Sequence, residues 1–505
     1  MIRENHAKPN TRSSPAARSA TPVALAITPD ADDTVRPMIA SIGHRLLGYV
    51  VPVRREEITA TLWSFLYFFC LLCGYYIIRP VRDEMGIQGG VEFLPWLFTG
   101  TFLAMVAAVP LFGWVSSRFS RSALLPMVYL FFIANLLLFH VLLESGIAPR
   151  FTAQAFFIWV SVFNLFVVSV FWSFMADVFR NEQARRLFGF IAAGGSTGAL
   201  VGPLIVAHLA TQIGPAQLLP LSAVMLFAAV LCIYRLAAWS RRHPAHPLLP
   251  DKPEQAIGGS MFGGVVLVLK SPYLLGICIY VAMGTVLGTF LYFHQAHIIA
   301  IEVSDSGERT ALFAKIDFVV NALTFFCQLF VVGRLIGRFG VGLALSILPV
   351  AAVAGFITIG LMPTLTALVV FQVIRRAGEY AITRPAREVL FTVLSREEKY
   401  KSKNFIDTVI FRGGDALSGW LFEGLRMVGL GFAGIAFAAV PIAALWAGMG
   451  WWLGRNQEDL RNRSERRRRT DDSSAHTTVP AAAPPVIAGA RRVGDIDSDG
   501  EPVVG

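Results

Sequence analysis

Charged side chains are scarce in this sequence, and they avoid long stretches of the chain. Only 15% of the 505 residues are Asp, Glu, Lys or Arg, whereas roughly a quarter are charged in a typical soluble domain. Twelve stretches of about 20 residues are apolar and long enough for an α-helix to cross the hydrocarbon core of a bilayer. A soluble globular protein is therefore excluded, and a protein that crosses the membrane many times is predicted.

Cysteine is also scarce, and no pattern of metal ligands or of a nucleotide-hydrolysing site is present in the sequence. All five cysteines lie inside apolar stretches, so neither a disulfide framework nor a zinc site is indicated. The stretch Gly194–Gly198 is not followed by Gly-Lys-Ser/Thr, and its small residues favour close helix packing over a phosphate loop. We predict no cofactor, no metal and no enzymatic activity, so any transport should be secondary.

The apolar stretches fall into two groups of six. The first group lies in residues 58–235 and the second in residues 272–454, with a polar connector at 236–271. Residues 1–57 are rich in Ala, Pro, Ser and Thr, and residues 455–505 are basic. Both terminal segments are predicted to be disordered, because neither can bury enough apolar surface to order itself. The predicted fold is an all-α bundle of twelve transmembrane helices.

The two groups of six also repeat a motif. Residues 113–120 read GWVSSRFS, and residues 333–340 read GRLIGRFG, 220 positions later. Two parallel six-helix halves around a site at the membrane midplane are typical of the major facilitator architecture, and the first motif resembles that superfamily's loop between helices 2 and 3. Five charged residues near these loops are candidates for gating: Arg118, Arg121, Asp177, Glu182 and Arg338.

The distribution of basic residues predicts the orientation of the bundle. With the amino terminus in the cytosol, twelve basic residues fall in short cytosolic loops and five on the outer side, as the positive-inside rule requires. We therefore predict that both termini lie in the cytosol and that Arg79 and Arg82 lie in an outer loop after helix 1. The net charge of +10 follows from this bias, so nucleic acid is not an expected partner, whereas membrane lipids are.

Five basic residues fall inside predicted helices: Lys315, Arg375, Arg376, Arg384 and Arg412. An arginine at the centre of a transmembrane helix costs roughly 3 kcal/mol on insertion scales, so these side chains need partners or a wet cavity. Glu379 can neutralise the arginine three or four residues before it, and Asp415 the arginine three before it. Two interpretations stay open: salt bridges that only stabilise or gate the bundle, and a cradle for phosphate or carboxylate, which guanidinium groups bind bidentately.

Three stretches resemble the nucleotide translocase family, the ATP/ADP exchangers of plastids and intracellular bacteria, and more closely the family's relatives in other bacteria. The resemblance covers about residues 58–453 and implies a location in the bacterial cytoplasmic (inner) membrane. The stretches are Tyr75–Glu84, Phe171–Phe174 and Glu388–Asp407. In the third, Glu388, three alternating lysines and the Ile406-Asp407 pair have the family's spacing without a gap. The sequence departs from the family where a lysine after the Ile-Asp pair gives way to a stretch that holds Arg412 and Asp415.

The resemblance adds residues to the candidate site. It implies that Arg82 occupies the position of a basic residue that contacts substrate, and that the region of Lys401 and Lys403 is similar to a basic cluster before helix 11. Together with the charged residues within the predicted helices and beside them, the candidate substrate-binding residues are Arg79, Arg82, Lys315, Arg375, Arg376, Glu379, Arg384, Arg387, Glu388, Lys401, Lys403, Asp407, Arg412 and Asp415.

The sequence as a whole predicts a secondary transporter, monomeric as a transport unit, that moves an anionic, phosphorylated small molecule by alternating access. The family resemblance implies nucleotide exchange. Two alternatives stay open. One is a proton-coupled transporter of a non-nucleotide solute, with His140, His208, His294 or His297 as a relay. The other is a membrane scaffold or sensor that has the transporter fold but does not transport.

Overall fold

The computed structural model describes residues 53–118, 121–242 and 267–477, and within these ranges the chain forms twelve long helical segments. The bounds are α1 Ile58–Gln88, α2 Leu94–Arg118, α3 Arg121–Ser145, α4 Pro149–Val178, α5 Asn181–Ile213, α6 Leu218–Arg242, α7 Pro272–Glu302, α8 Ser306–Phe330, α9 Val332–Leu361, α10 in the consecutive stretches Leu365–Gly378, Glu379–Thr383 and Arg384–Leu390, α11 in the consecutive stretches Arg396–Phe405, Ile406–Gly413 and Gly414–Met427, and α12 Phe432–Thr477.

Ten of these segments are long and apolar enough to cross a membrane, among the residues that the structure describes. The other two are α10 and α11, which are charged and are interrupted by the π-helical stretches Glu379–Thr383 and Ile406–Gly413. A π-helical turn inside an α-helix frequently marks a functional site. Ten continuous spans and two interrupted segments are consistent with the predicted count of twelve.

The helices form two halves, α1–α6 and α7–α12, each with its own apolar core. In the first half α1 packs against α4, α5 and α6, and in the second half α12 packs against α7 and α9. The halves meet where α5 packs against α8, where α2 packs against α11, and along α1, which contacts both α7 and α8. We call the end of the bundle at which α1 begins and α6 ends the terminal end, and the opposite end the distal end.

Small residues allow α1 and α5 to approach closely. A Cβ atom added at Gly194 would collide with the carbonyl oxygen of Phe65, and one added at Gly198 would collide with that of Phe69. The sequence interpretation of Gly194–Gly198 as a packing surface is therefore confirmed, since only glycine lets the two backbones lie this close.

The first helix is longer than predicted. It continues to Gln88, so the prediction that Arg79 and Arg82 lie in an outer loop is wrong. The helix continues because Val81 and Met85 extend its buried apolar face, with 0% and 1% of their surfaces exposed. Both arginines therefore project from a membrane helix.

The last helix is also longer than predicted. The sequence predicts a disordered tail from residue 455, but α12 continues to Thr477. Residues 1–52 of the predicted arm, 243–266 of the connector and 478–505 of the tail lie outside the described residues.

Candidate substrate cavity

Two adjoining chambers lie between the halves. The small chamber, about 200 Å³, is lined mainly by α7 and α10. The large chamber, about 680 Å³, is lined mainly by α1, α4, α5 and α8. The two share a wall made of Arg79, Arg82, Tyr380, Arg384 and Phe411. We call the two chambers together the substrate cavity, since their size is that of a small-molecule site.

Arginine dominates the charge of the substrate cavity. Its lining includes seven arginines: Arg79, Arg82, Arg375, Arg376, Arg384, Arg387 and Arg412. Among the described residues, three carboxylates line it, those of Asp83, Glu379 and Asp415. Two more pair with its arginines: Asp317 with Arg79 and Arg376, and Asp407 with Arg387. Seven arginines against five carboxylates leave two positive charges in excess when all are ionised. An anion is therefore the ligand that this cavity favours.

Asp317 on α8 connects the two halves. Its Oδ1 lies 2.5 Å from Nη2 of Arg376 on α10 and 3.6 Å from Nη1 of Arg79 on α1. Only 1% of the Asp317 side chain is exposed, so its charge requires the two guanidinium groups. The sequence offers Glu379 as the partner of Arg376, but Glu379 Oε1 lies 3.7 Å from Nε of Arg384 instead. The pair Glu379–Arg384 spans the π-helical stretch Glu379–Thr383, whereas the sequence prediction relied on the three- and four-residue spacing of a regular α-helix.

Arg82 is fixed on the N-terminal side of the cavity. Its Nη1 lies 3.1 Å from Asp83 Oδ1, and its Nε donates to Ser161 Oγ at 3.2 Å. The guanidinium carbon lies 3.9 Å from the centroid of the Phe157 ring, within the range of a cation–π contact. Tyr292 of the other half donates its hydroxyl to the same Asp83 oxygen at 3.1 Å. Asp83 therefore holds Arg82 in the cavity and connects it to the C-terminal half.

Arg375 is the least neutralised arginine of the small chamber. It forms no ion pair within 4.0 Å with the described part of the chain, and its Nε has no hydrogen-bond partner there. It lies beside Gly288, where an added Cβ would come within 3.0 Å of Arg375 Nη1. Buried polar groups are normally hydrogen-bonded. Arg375 is therefore available to a ligand without first breaking a salt bridge.

The two π-helical stretches position much of the shared wall. Tyr380 lies within the first stretch and Arg384 directly follows it, while Phe411 and Arg412 lie within the second. An inserted residue rotates the following side chains relative to a regular helix, which brings both arginines to the cavity. Nothing in the apolar periodicity indicates such an insertion, so only the unusual charge of these segments identifies them in the sequence.

Several cavity residues are neutral, and sequence reasoning missed them. Thr285, Thr289, Tyr292 and Gln295 on α7 line the small chamber, as does Trp446 on α12. Thr289 Oγ1 lies 3.4 Å from Asp415 Oδ1. A signal was available, because small and polar residues at positions 284, 285, 288 and 289 form one stripe on an otherwise apolar helix.

Some predicted site residues lie elsewhere. Lys315 is exposed on α8 and does not line either chamber. Lys403 pairs with Glu388 at 2.7 Å outside both chambers, while Asp407 pairs at 3.2 Å with the cavity residue Arg387. Lys401 also lies outside the lining. The basic cluster before helix 11 is thus at the terminal end of α10 and α11, beside the cavity rather than in it.

The residues predicted to gate the protein lie at the terminal end. Arg118 and Arg338 are exposed at the end of α2 and near the start of α9, Glu182 is exposed, and Asp177 is half-buried. Arg121 is the first residue of α3. None of the four whose side chains the structure describes lines the chambers, and none of the four histidines does.

The distal end is closed by contacts between the halves. Arg309 of α8 donates to both carboxylate oxygens of Glu84 of α1, at 2.6 and 2.7 Å, and Ser306 donates to one of them at 2.8 Å. The Glu84 side chain is 0% exposed and that of Arg309 is 12% exposed. Nearby, Trp420 of α11 donates to Thr99 of α2 at 3.0 Å.

The large chamber, in contrast, reaches the terminal end. It extends from Arg82 along α1 as far as Phe68 and is also lined by Gln328, two residues before α8 ends. Fourteen residues of helix separate Phe68 from Arg82, which is roughly 21 Å along the axis. The large chamber therefore extends toward the terminal end, whereas contacts between the halves close the distal end.

Two six-helix halves around a central cavity that opens at one end define a membrane transporter. A profile of the Major Facilitator Superfamily matches residues 64–379. The chain belongs to this superfamily.

Known proteins agree with this assignment. The chain is 24% identical over 458 residues to ADP,ATP carrier protein 1 of Chlamydia muridarum, which covers 76% of this chain and 85% of the carrier. The predicted resemblance to the nucleotide translocase family is thereby confirmed. Among solved structures, a bacterial homologue of the human lysosomal transporter Spinster, inward-facing and unoccupied, shares the fold at a TM-score of 0.52 and 15% identity, covering 81% of this chain and 99% of that one. The nucleoside transporter NupG shares the fold at a TM-score of 0.53 and 14% identity, and the match covers 79% of this chain and 99% of NupG.

Proposed function

We propose that this protein is a secondary transporter of an anionic, phosphorylated solute. The observation that carries the proposal is the excess of arginine over carboxylate in a cavity shared by both halves. Guanidinium groups bind phosphate oxygens bidentately, and such charge-assisted bonds are among the strongest hydrogen bonds in proteins. A nucleotide is the first substrate to test, because the curated relatives are named as ADP,ATP carriers.

The proposed mechanism is alternating access. In the state described here the terminal end is open and the distal end is closed by the Glu84–Arg309 pair. Opening the distal end requires this pair to separate while the halves rock about the cavity. We place the terminal end in the cytosol of a bacterium, and the protein in the inner membrane, because the basic loop residues lie on that side. Arg118 and Arg338 would then stabilise the state in which the cytosolic end is closed.

The carboxylates of the cavity would release the solute. Asp317 already holds Arg79 and Arg376, and Glu379 lies near Arg384. A bound phosphate competes with these carboxylates for the same guanidinium groups. When the carboxylates regain their arginines, the solute leaves without Arg79, Arg376 or Arg384 becoming unpaired, which would cost several kcal/mol.

Uptake into proteoliposomes tests the proposal. Labelled ATP, ADP and inorganic phosphate are offered to vesicles that are empty or preloaded with ADP, and the intact protein is compared with Arg376→Gln and Arg412→Gln. Arg463→Gln, which removes an exposed arginine far along α12, is the matched control. We expect uptake by the intact protein and the control, and strongly reduced uptake by both cavity variants.

The same assay separates the modes of transport and the alternative. Uptake that depends on preloading indicates exchange, and uptake into empty vesicles indicates net entry. If no phosphorylated anion enters under any condition, the proposed substrate class is wrong. If a broader panel of anions also fails, a scaffold or sensor becomes the better interpretation of the fold.

A further inference from the structure

A groove lies outside the two chambers of the substrate cavity, at the terminal end between the start of α1 and the end of α6. Its volume is about 380 Å³. The lining residues are Arg55, Glu56, Thr59, Trp63, Arg235, Ala238, Trp239 and Arg242. None of these residues lines either chamber of the substrate cavity. The groove, which we call the α1–α6 groove, is thus distinct from the site of transport.

The α1–α6 groove carries excess positive charge. Three of its residues are exposed arginines, Arg55, Arg235 and Arg242, and one is an acid, Glu56. None of the three arginines forms an ion pair within the described part of the chain. The buried acid nearby, Glu57, pairs instead with Arg186, at 3.0 Å. The groove therefore offers guanidinium groups without carboxylate partners, as an anion site does.

The groove lies at the ends of two membrane helices, where a headgroup layer is expected. Arg242 is the last residue of α6, and Arg235 lies seven residues, or roughly 10 Å, before that end, from where a long arginine side chain can extend to the headgroups. Arg235 also stacks on Trp63, with its guanidinium carbon 5.9 Å from the ring centroid. Tryptophan is enriched at this depth because its ring is apolar and its N–H is polar.

Apolar side chains continue from the groove toward the membrane centre. Leu62 and Leu66 on α1 are 42% and 40% exposed, and Leu231 and Tyr234 on α6 are 50% and 54% exposed. A soluble anion would not contact this apolar surface. A phospholipid would contact the arginines through its phosphate and the apolar side chains through its acyl chains.

We propose that the α1–α6 groove binds an anionic phospholipid, with Arg55, Arg235 and Arg242 around the headgroup phosphate. Trp63 and Trp239 flank the headgroup, and the acyl chains lie along the exposed leucines. The ligand is a lipid rather than a free phosphate, because arginines and apolar surface are continuous on the same two helices. The bound lipid would join the start of α1, the helix that carries Arg79, to α6.

Native mass spectrometry of the full chain in detergent, titrated with phosphatidylglycerol, tests the proposal. The groove variant is Arg235→Gln with Arg242→Gln. The matched control is Arg455→Gln with Arg463→Gln, which removes two exposed arginines of α12, one of them stacked on Trp451 at 5.1 Å. We expect the groove variant to bind phosphatidylglycerol roughly thirtyfold more weakly, since each of the two arginines near an anionic headgroup contributes roughly fivefold in affinity. The control should bind as the intact protein does.

Two comparators identify the ligand. Phosphatidylcholine, which has a phosphate but no net charge, should bind more weakly than phosphatidylglycerol, and glycerol phosphate without acyl chains should not compete. Equal binding by the intact protein and the groove variant would overturn the proposal, and so would effective competition by glycerol phosphate, which would indicate a soluble anion. Melting temperatures show whether each variant folds, and Arg55→Gln, outside α1, carries the same prediction with a smaller loss.

Discussion

Replacing Glu84 with glutamine should open the distal end of the transporter. The substitution keeps the shape of the side chain but removes the negative charge that Arg309 contacts at 2.6 and 2.7 Å. Breaking a fully buried ion pair costs roughly 3 to 5 kcal/mol, and glutamine retains one hydrogen-bond acceptor, so we take about 2 kcal/mol as the loss. Only the state with a closed distal end loses this stabilisation. The ratio of distal-open to distal-closed molecules should therefore rise roughly thirtyfold.

Distances between spin labels measure this ratio. One label replaces Phe93, before α2, and the other replaces Val428, after α11; these residues are 40% and 83% exposed and belong to different halves. In Glu84→Gln the distance distribution should gain a longer component. Glu302→Gln removes an exposed acid at the same end and should leave the distribution unchanged. An unchanged distribution in Glu84→Gln, or an equal change in Glu302→Gln, would refute the reasoning.

Two further predictions concern stability, measured as the melting temperature of the protein in detergent. Asp317→Asn leaves two guanidinium groups without their carboxylate, so it should destabilise the protein by about 3 kcal/mol or more. The control Asp407→Asn removes an acid that is 42% exposed and should cost less than about 1 kcal/mol. Equal melting temperatures for the two variants would contradict the bridging position of Asp317. Gly198→Leu should lower the melting temperature and the yield because its side chain would enter the contact between α1 and α5, and Gly189→Ala, with nothing within 4 Å of the added carbon, should do neither; a stable Gly198→Leu protein would show that the helices can separate.

The general architecture was predictable because it depends on helix length and apolar composition. A stretch of about 20 apolar residues has few alternatives to a membrane helix, and the repeated motifs at Arg118 and Arg338 predict two halves of six helices each. The predicted first helix ended before Arg79 and Arg82, because charged residues are normally excluded from the membrane. In this protein the helix continues through both arginines, since Asp83 and Asp317 neutralise them.

The site was predictable in part. The arginines of α10 and α11 stand out in an apolar sequence, and Arg375, Arg376, Arg384 and Arg412 all line the cavity. Their partners were not predictable, because the contact between Arg376 and Asp317 joins residues 59 positions apart, and local spacing favours Glu379. Lys315 shows the reverse error, because a charge inside an apolar stretch does not reveal which side of the helix it occupies.

The central claim is that arginines of the cavity bind an anionic, phosphorylated solute. The most direct test compares kcat/KM for uptake of labelled ADP by Arg375→Gln and by Lys315→Gln. Each substitution removes one positive charge, the first inside the small chamber and the second on the exposed surface of α8. Charge-assisted hydrogen bonds contribute about 2 kcal/mol, so Arg375→Gln should lower kcat/KM roughly thirtyfold, with Lys315→Gln unchanged. Equal values for the two variants, or a loss in Lys315→Gln alone, would contradict the account.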